Sequence, residues 1–148
     1  MYSASNSIPN TVTSVGDQDI GRIYRLCHTI DALVSEEATE ARRSRRYRLR
    51  RARLRLHSKI KNLVADLHWK LARWLLTNHK KILLPDFSTS GMLRKGQRRI
   101  GSKTARAMAT WSHYLFKQRL LSKLGVFPGR EVIICDESYT SKTCGSCG

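Results

Sequence analysis

The segment KILLPD, residues 81–86, is a short apolar run that ends at a proline and is followed by an acidic residue. A second apolar run, EVIIC, occupies residues 131–135, and a helical pattern covers residues 103–124 between the two. Apolar runs of this length are typical of buried strands, so the order is strand, helix, strand. This order predicts an α/β fold with a partly parallel sheet and a right-handed crossover. Two strands do not form a stable sheet alone, so we expect this sheet to need further strands.

The segment before these strands is helical over a long stretch. Residues 36–78 contain neither proline nor glycine, and Ser35 is of a residue type that caps helices. The pattern predicts one long helix or a helical hairpin over residues 36–78, after a shorter helix over residues 19–33. The second half carries an apolar stripe that can dock on a core, and this stripe consists of Leu56, Ile60, Leu63, Val64, Leu67, Leu71, Trp74 and Leu75.

The first half of the long helical segment is a block of arginines. Nine of the fourteen residues from Arg42 to Arg55 are arginine, and pairs one helical turn apart carry like charge. Each such pair costs an isolated helix about 0.2–0.5 kcal/mol, so a merely solvated helix face explains the block poorly. A phosphate backbone would remove this repulsion and release counterions. The block itself says nothing about sequence specificity, because phosphate contacts position a protein and do not read bases. We predict contact with nucleic acid by Arg42, Arg43, Arg45, Arg46, Arg48, Arg50, Arg51, Arg53 and Arg55.

The overall composition also favours a polyanionic partner. The 148 residues, enough for one domain, include 28 Lys and Arg against 11 Asp and Glu, which gives a net charge of +17 and a pI near 10.5. Nucleic acid fits this charge better than an anionic membrane, because no basic segment carries a wide apolar face. The sequence shows no signal peptide and no membrane span. We therefore expect a soluble, intracellular protein, nuclear in a eukaryote and in the cytoplasm or nucleoid of a prokaryote.

Residues 136–148 end in a C-x-x-C-G pattern formed by Cys144 and Cys147. The glycines that follow the cysteines favour a tight turn whose N–H groups point at thiolates, which indicates zinc. A structural zinc takes four ligands, so this pair supplies half of a site. Cys27 and Cys135 are the other thiols, and the apolar run around Cys135 is typical of a core residue. The alternatives are two unrelated thiols or a redox pair, although redox motifs usually lie between a strand and a helix.

Acidic residues follow both predicted strands. Asp86 comes directly after the first, and Asp136 and Glu137 come after the second. Open α/β sheets place their sites at this edge, and carboxylates gathered there could hold Mg²⁺ for two-metal phosphodiester cleavage. The alternative, which the residue pattern alone favours, is that Asp86 caps a turn after Pro85. Asp136 and Glu137 would then fix the start of the next segment.

The histidines and tryptophans show no catalytic or metal-ligand spacing. His57 and His68 fall on the long helical segment, where we expect half-buried positions on the helix face. Trp69, Trp74 and Trp111 are expected to be core residues rather than platforms on which bases stack.

Four stretches resemble the transposon-encoded, RNA-guided nucleases of the TnpB and Fanzor kind, which are relatives of type V CRISPR effectors. The most specific is E-x-Y-T-S-K-x-C-x-x-C-G at residues 137–148, which is similar to the opening of the zinc-ribbon insert of that family. The others are DIxRIYRLC at residues 19–27, ILLPDF at 82–87 and WSHYxFKxRL at 111–120. The stretches are spread from residue 19 to residue 148, so the resemblance extends over nearly the whole chain.

The resemblance implies a RuvC domain with an RNase H-like fold, which cuts DNA with three acidic residues and divalent metal. Residues 1–135 would be a partial RuvC domain, and residues 136–148 the truncated start of a zinc ribbon. Asp86 is the best match to the second acid, whereas Glu137 matches the lead-in of the ribbon. The basic helices of the family contact guide RNA and target DNA, in agreement with the arginine block.

The expected fold class is therefore α/β, an incomplete RNase H-like (RuvC) fold with long basic helices and half of a zinc ribbon. The expected function is that of a nucleic-acid-binding fragment of an RNA-guided DNA endonuclease that uses magnesium. Since the chain holds at most one of the three acids, we expect this polypeptide alone to be inactive and to bind zinc weakly through Cys144 and Cys147. A non-catalytic basic RNA- or DNA-binding module, or a decayed transposon remnant, is the alternative.

Overall fold

The computed structural model describes residues 17–86 and 100–136, together with the isolated positions 89, 93 and 94. Six elements are defined in the two continuous ranges. In chain order they are α1 (Asp17–Thr39), α2 (Arg43–Asn78), β1 (Lys81–Pro85), α3 (Ser102–Trp111), α4 (His113–Leu124) and β2 (Glu131–Cys135). The described part is mostly helical with a small parallel sheet, which is compatible with the predicted α/β class.

Helix α2 is one long helix, the first of the two arrangements predicted for residues 36–78, and it forms a hairpin with the preceding helix α1. The chain leaves helical geometry at Arg42, whose φ and ψ are −74° and 115° and whose backbone N–H donates to Glu40 Oε1 at 2.9 Å. Helix α2 therefore begins at Arg43 and not at Glu36. The prediction that Ser35 caps it is wrong, because Ser35 lies inside α1 and its Oγ donates to the Asp31 carbonyl.

Helix α2 is the longest element and differs between its two ends. Its 36 residues span about 54 Å at 1.5 Å per residue. No residue between Arg43 and Leu56 is buried. The later half, in contrast, provides all the buried residues of the helix, which are Ile60, Val64, Leu67, His68, Ala72 and Leu76. The apolar stripe thus anchors one half of α2, and the arginine block lies on the other.

Strands β1 and β2 pair in parallel, as predicted, and α3 and α4 lie in the connection between them. The register places Lys81 beside Glu131 and Pro85 beside Cys135. Only one face of β1 is buried: Ile82 and Leu84 are 6% exposed, whereas Leu83 is 68% exposed. The prediction of a buried strand is therefore wrong for Lys81 and Leu83 of β1, which are exposed, and for β2, none of whose residues is buried.

Two apolar clusters hold the elements together, and α2 contributes to both. The first packs the C-terminal half of α2 against β1 and α4, and its buried members are Ala72, Leu76, Ile82, Leu84, Phe116 and Leu120. The second packs α1 against the middle of α2 through Ile23, Ile30, Ile60 and Val64. The long helix is thus the element shared by the helical hairpin and the strand–helix–strand unit.

The predicted single helix over residues 103–124 is divided in two at Ser112. This residue has φ 47° and ψ 60°, the left-handed conformation, and it is both the last cap of α3 and the first cap of α4. A non-glycine residue rarely adopts this geometry, although short polar side chains can support it by local hydrogen bonds. Ser112 does so, since its Oγ donates to the Ala109 carbonyl at 3.1 Å.

No helix within the described ranges combines the length and the apolar character that a bilayer span requires.

Candidate nucleic-acid interface

The arginine block lies on the exposed first half of α2, where two of its side chains are neutralised by α1 and the loop after it. Arg45 forms ion pairs with Glu36 at 2.8 Å and with Glu40 at 2.9 Å. Arg53 forms one with Glu37 at 3.0 Å. These pairs join the two helices of the hairpin, so two of the nine predicted nucleic-acid contacts have a structural role.

The remaining seven arginines form no ion pair with an acidic residue in the described ranges. Arg51 donates to the Tyr47 hydroxyl at 3.2 Å, a neutral partner that leaves its charge uncompensated. The first half of α2 thus presents a concentrated positive surface, as predicted. Its members, called here the unpaired arginines, are Arg42, Arg43, Arg46, Arg48, Arg50, Arg51 and Arg55.

A groove of about 780 Å³ runs beside α2, and four cations from both helices of the hairpin line it. These are Arg22 of α1 and Arg51, Arg55 and Lys59 of α2. We call it the basic groove. Sequence reasoning included two of its cations in the arginine block but missed Arg22 and Lys59. The four-residue spacing from Arg51 through Arg55 to Lys59 could have revealed Lys59, whereas Arg22 reaches the groove only through tertiary packing.

Of the acidic residues predicted at the ends of the two strands, Asp86 and Asp136 follow strands that end at the same edge of the sheet. The Asp86 backbone N–H donates to the Cys135 carbonyl at 2.8 Å, and Asp136 follows β2 directly. The Asp86 carboxylate accepts a hydrogen bond from Lys117 Nζ of α4 at 2.9 Å. In residues 17–86 and 100–136, no three acidic, histidine or cysteine side chains come together as metal ligands.

Comparison with known proteins gives a consistent set of relatives, although no protein-family model matches the chain. A protein of Acanthamoeba polyphaga mimivirus named "Putative transposase" is 29% identical over 148 residues, which is 100% of this chain and 30% of that protein. A protein of the same virus named "TnpB-like protein" is 33% identical over 104 residues, 70% of this chain and 20% of that protein. The chain is TnpB-like. A transposase-named protein of Paramecium bursaria Chlorella virus 1 agrees, at 32% identity over 101 residues.

The TnpB-like chain spans less than a third of the length of these relatives, 30% of the first and 20% of the second. The names and identities of these relatives confirm the resemblance inferred from residue patterns, at the level of a transposon-associated, TnpB-like protein.

The predicted zinc ligands of the TnpB-like chain, Cys144 and Cys147, lie outside the described residues, as does Glu137. Of the two other cysteines, Cys135 is partly buried at the end of β2, and Cys27 is partly buried on α1. Both are free thiols. The zinc site therefore stays a prediction.

The histidines of α2 differ from the expectation that both are half-buried. His57 is exposed, whereas His68 is only 5% exposed. Burial lowers the pKa of His68 below its usual value, and the nearby Arg119 guanidinium lowers it further. Arg119 Nη1 lies 2.7 Å from His68 Nδ1. Because a guanidinium can only donate, His68 Nδ1 accepts, and the proton of the neutral ring is on Nε2.

We expect the pH dependence of stability to reveal this buried neutral histidine. The pKa of His68 is lower in the folded state than in the unfolded chain, so the unfolded chain binds more protons as pH falls below about 6.5. The free energy of unfolding should therefore be highest above that pH and decrease below it, until the folded-state pKa is passed. Urea unfolding followed by circular dichroism between about pH 7.5 and pH 5 measures the decrease.

The control for this prediction is a comparison of two glutamine variants on the same helix. His68→Gln should remove part of the pH dependence, because glutamine stays neutral throughout the range. His57→Gln should leave it unchanged, since His57 is exposed. A His68→Gln chain with the pH dependence of the parent would show that another group is responsible.

Proposed function

We propose that the chain is a nucleic-acid-binding portion of a transposon-encoded, RNA-guided DNA endonuclease. The observation that carries this proposal is the group of seven unpaired arginines on one exposed half of α2. Like charges at this density oppose helix formation, and a phosphate backbone is the partner that neutralises them. The names of the viral relatives, transposase and TnpB-like protein, support a role in transposition.

One feature of the fold, the connection between its two strands, supports the RuvC part of the proposal. A parallel pair of strands with helices in the connection is a unit of RNase H-like sheets, and β1 and β2 have this arrangement. In the proposed parent enzyme, Asp86 would be the second acid of the catalytic site with magnesium, and Cys144 and Cys147 would supply two of four zinc ligands. The Asp86 carboxylate is paired with Lys117, and no group of three metal-ligand side chains occurs among the described residues. We therefore propose no cleavage step for this chain.

The same two observations favour a second candidate, a non-catalytic basic module that binds RNA or DNA. In this role the carboxylate of Asp86 orients α4 against the end of β1 through Lys117, and no metal is required. Both candidates share the arginine surface, so they differ in catalysis and not in binding.

Salt titration of binding tests the shared part of the proposal. Fluorescence anisotropy with a labelled single-stranded RNA and with a labelled DNA duplex should show binding without magnesium. The affinity should decrease by on the order of a thousandfold between about 50 and about 200 mM salt, since each phosphate contact contributes about 0.7–0.9 to the slope of log affinity against log salt. Binding that is absent at low salt, or insensitive to salt, would contradict the proposal.

A cleavage assay separates the two candidates. The unmodified chain is incubated with magnesium and DNA, and the Asp86→Ala variant is the control. We expect no cleavage from either, because one carboxylate does not hold a metal pair. Cleavage that requires magnesium and disappears in the variant would establish a nuclease and exclude the non-catalytic module.

A further inference from the structure

We propose that the basic groove between α1 and α2 holds the phosphate backbone of one nucleic-acid strand. This inference rests on the proposed function and adds a location and residues to it. The strand would lie against Arg51, Arg55 and Lys59 on one side and Arg22 on the other. The remaining unpaired arginines of α2 would contribute long-range attraction without direct contact.

The spacing of the cations suits a repeating anion. Arg51, Arg55 and Lys59 are four residues apart on one face of α2, so each step advances about 6 Å along the helix axis. This advance is comparable to the separation of neighbouring phosphates along one strand. Arg22 approaches from α1, so cations face the groove from two directions, and all four side chains are exposed.

The acidic residue that lines the groove does not neutralise the positive charge of its cations. Asp66 is the acidic residue that lines it, and its carboxylate lies 2.6 Å from Lys70 Nζ, with which it forms an ion pair. A concave surface with one sign of charge concentrates the electrostatic field, because its protein walls have a low dielectric constant. On the side of α2 that faces Glu36, Glu37 and Glu40, carboxylates compensate the arginines instead.

Neutral side chains in the same groove favour a nucleotide strand over a simple anion or an acidic peptide. Ser58 and Asn62 provide hydrogen-bonding groups, and Leu54, which is 53% exposed, provides an apolar contact for a sugar or base. Packed helices lie about 8–10 Å apart, so a groove between them accommodates one backbone and not the two of a duplex. None of these contacts reads a base edge, so we expect no sequence preference.

Two matched triple variants test the location. Arg51→Gln, Arg55→Gln and Lys59→Gln remove three charges from the groove, and Arg43→Gln, Arg46→Gln and Arg50→Gln remove three from elsewhere on α2. With a single-stranded RNA probe, the groove variant should lose about 2 from the salt slope and on the order of 100-fold in affinity at about 0.1 M salt. The second variant removes long-range attraction only, so it should lose between about threefold and about tenfold in affinity, clearly less than the groove variant. Glutamine has a helix propensity close to that of arginine, and circular dichroism confirms that both variants fold.

A pair of single variants on α1 tests whether the strand lies between the helices. Arg22→Gln should reduce the salt slope by about 0.7, the value for one contact with a single strand. Arg25→Gln is the control, because Arg25 is exposed on the same helix but does not line the groove. Equal losses from the two would overturn the placement of the strand against α1.

The outcomes of these experiments distinguish a failure of the groove proposal from a failure of the proposed function. Equal losses from the two triple variants would overturn the groove and leave general binding by α2 intact. No loss from either would overturn the groove and also contradict the arginine-based function. A DNA duplex that competes as well as a single strand, base for base, would overturn the proposal of a single backbone.

Discussion

Replacing Leu120 with alanine is expected to lower the free energy of unfolding by about 3 kcal/mol, within the range observed for buried leucines. Leu120 of α4 is 0% exposed and belongs to the cluster that joins Leu76 of α2 to Ile82 and Leu84 of β1. Truncation removes apolar contacts and leaves a cavity where three elements meet. Urea unfolding followed by circular dichroism measures the change.

Leu115→Ala is the control for this prediction, because it removes the same atoms from the same helix. Leu115 is 46% exposed, so its truncation leaves no closed cavity and should cost less than about 1 kcal/mol. If both variants unfolded at the same urea concentration, the packing of α4 against α2 and β1 would be contradicted.

Replacing all seven unpaired arginines with glutamine is expected to weaken binding to RNA and DNA by on the order of 100-fold at about 0.15 M salt. The groove contacts of Arg51 and Arg55 would be lost, each of which contributes about 0.7 to the salt slope for a single strand, together with the long-range attraction of the other five arginines. Helix α2 should persist, since the change also removes the repulsion between like charges one turn apart. Anisotropy measures binding, and circular dichroism measures helix content.

The matched control carries lysine at the same seven positions. Lysine keeps the charge but not the planar guanidinium, and phosphate attraction depends mainly on charge. We therefore expect the lysine variant to bind within about tenfold of the parent. Loss of binding in both variants would mean that guanidinium geometry, and not counterion release, determines the interaction.

The residue pattern was sufficient for the features that depend on local sequence. Apolar runs at residues 81–85 and 131–135 became strands β1 and β2, and the helical connection made their pairing parallel. The apolar stripe that begins at Leu56 became the packed face of α2, because burial follows the helical repeat. The exposed arginine block was predictable for the same reason, since nine arginines in fourteen residues leave no apolar face.

Features that depend on side chains from distant segments were not predictable. The turn between α1 and α2 is fixed by pairs such as Glu37 with Arg53, which are sixteen residues apart. The break at Ser112 contains neither proline nor glycine and is supported by a local hydrogen bond. Trp69, expected in the core, is 41% exposed and lies under Lys123 Nζ, 5.1 Å from the ring centroid. A cation over an aromatic face stabilises a surface position that hydrophobicity alone does not suggest.

The candidate sites also combine features that local sequence predicts with features that depend on distant segments. The arginines were found from their density, but the groove required the packing of α1 against α2 to bring Arg22 beside Arg55. Asp86 was found at the end of β1, yet its partner Lys117 is thirty-one residues away on α4. The two readings of Asp86 left open by the sequence were a metal ligand and a turn cap. The structure adds a third role, an ion pair that ties a helix to the sheet.

The uneven burial along α2 has a consequence for cooperativity. Because Leu56 is the first residue of α2 that packs against an apolar cluster, and Ile60 the first that is buried, the turns before Leu56 can open without disturbing either cluster. Local opening therefore costs less free energy at the arginine end than at the Leu76 end, although both belong to one continuous helix. A polyanion bound at the arginine end would stabilise that end and so reduce the difference in opening free energy. The two ends of α2 would then unfold as one unit only in the complex.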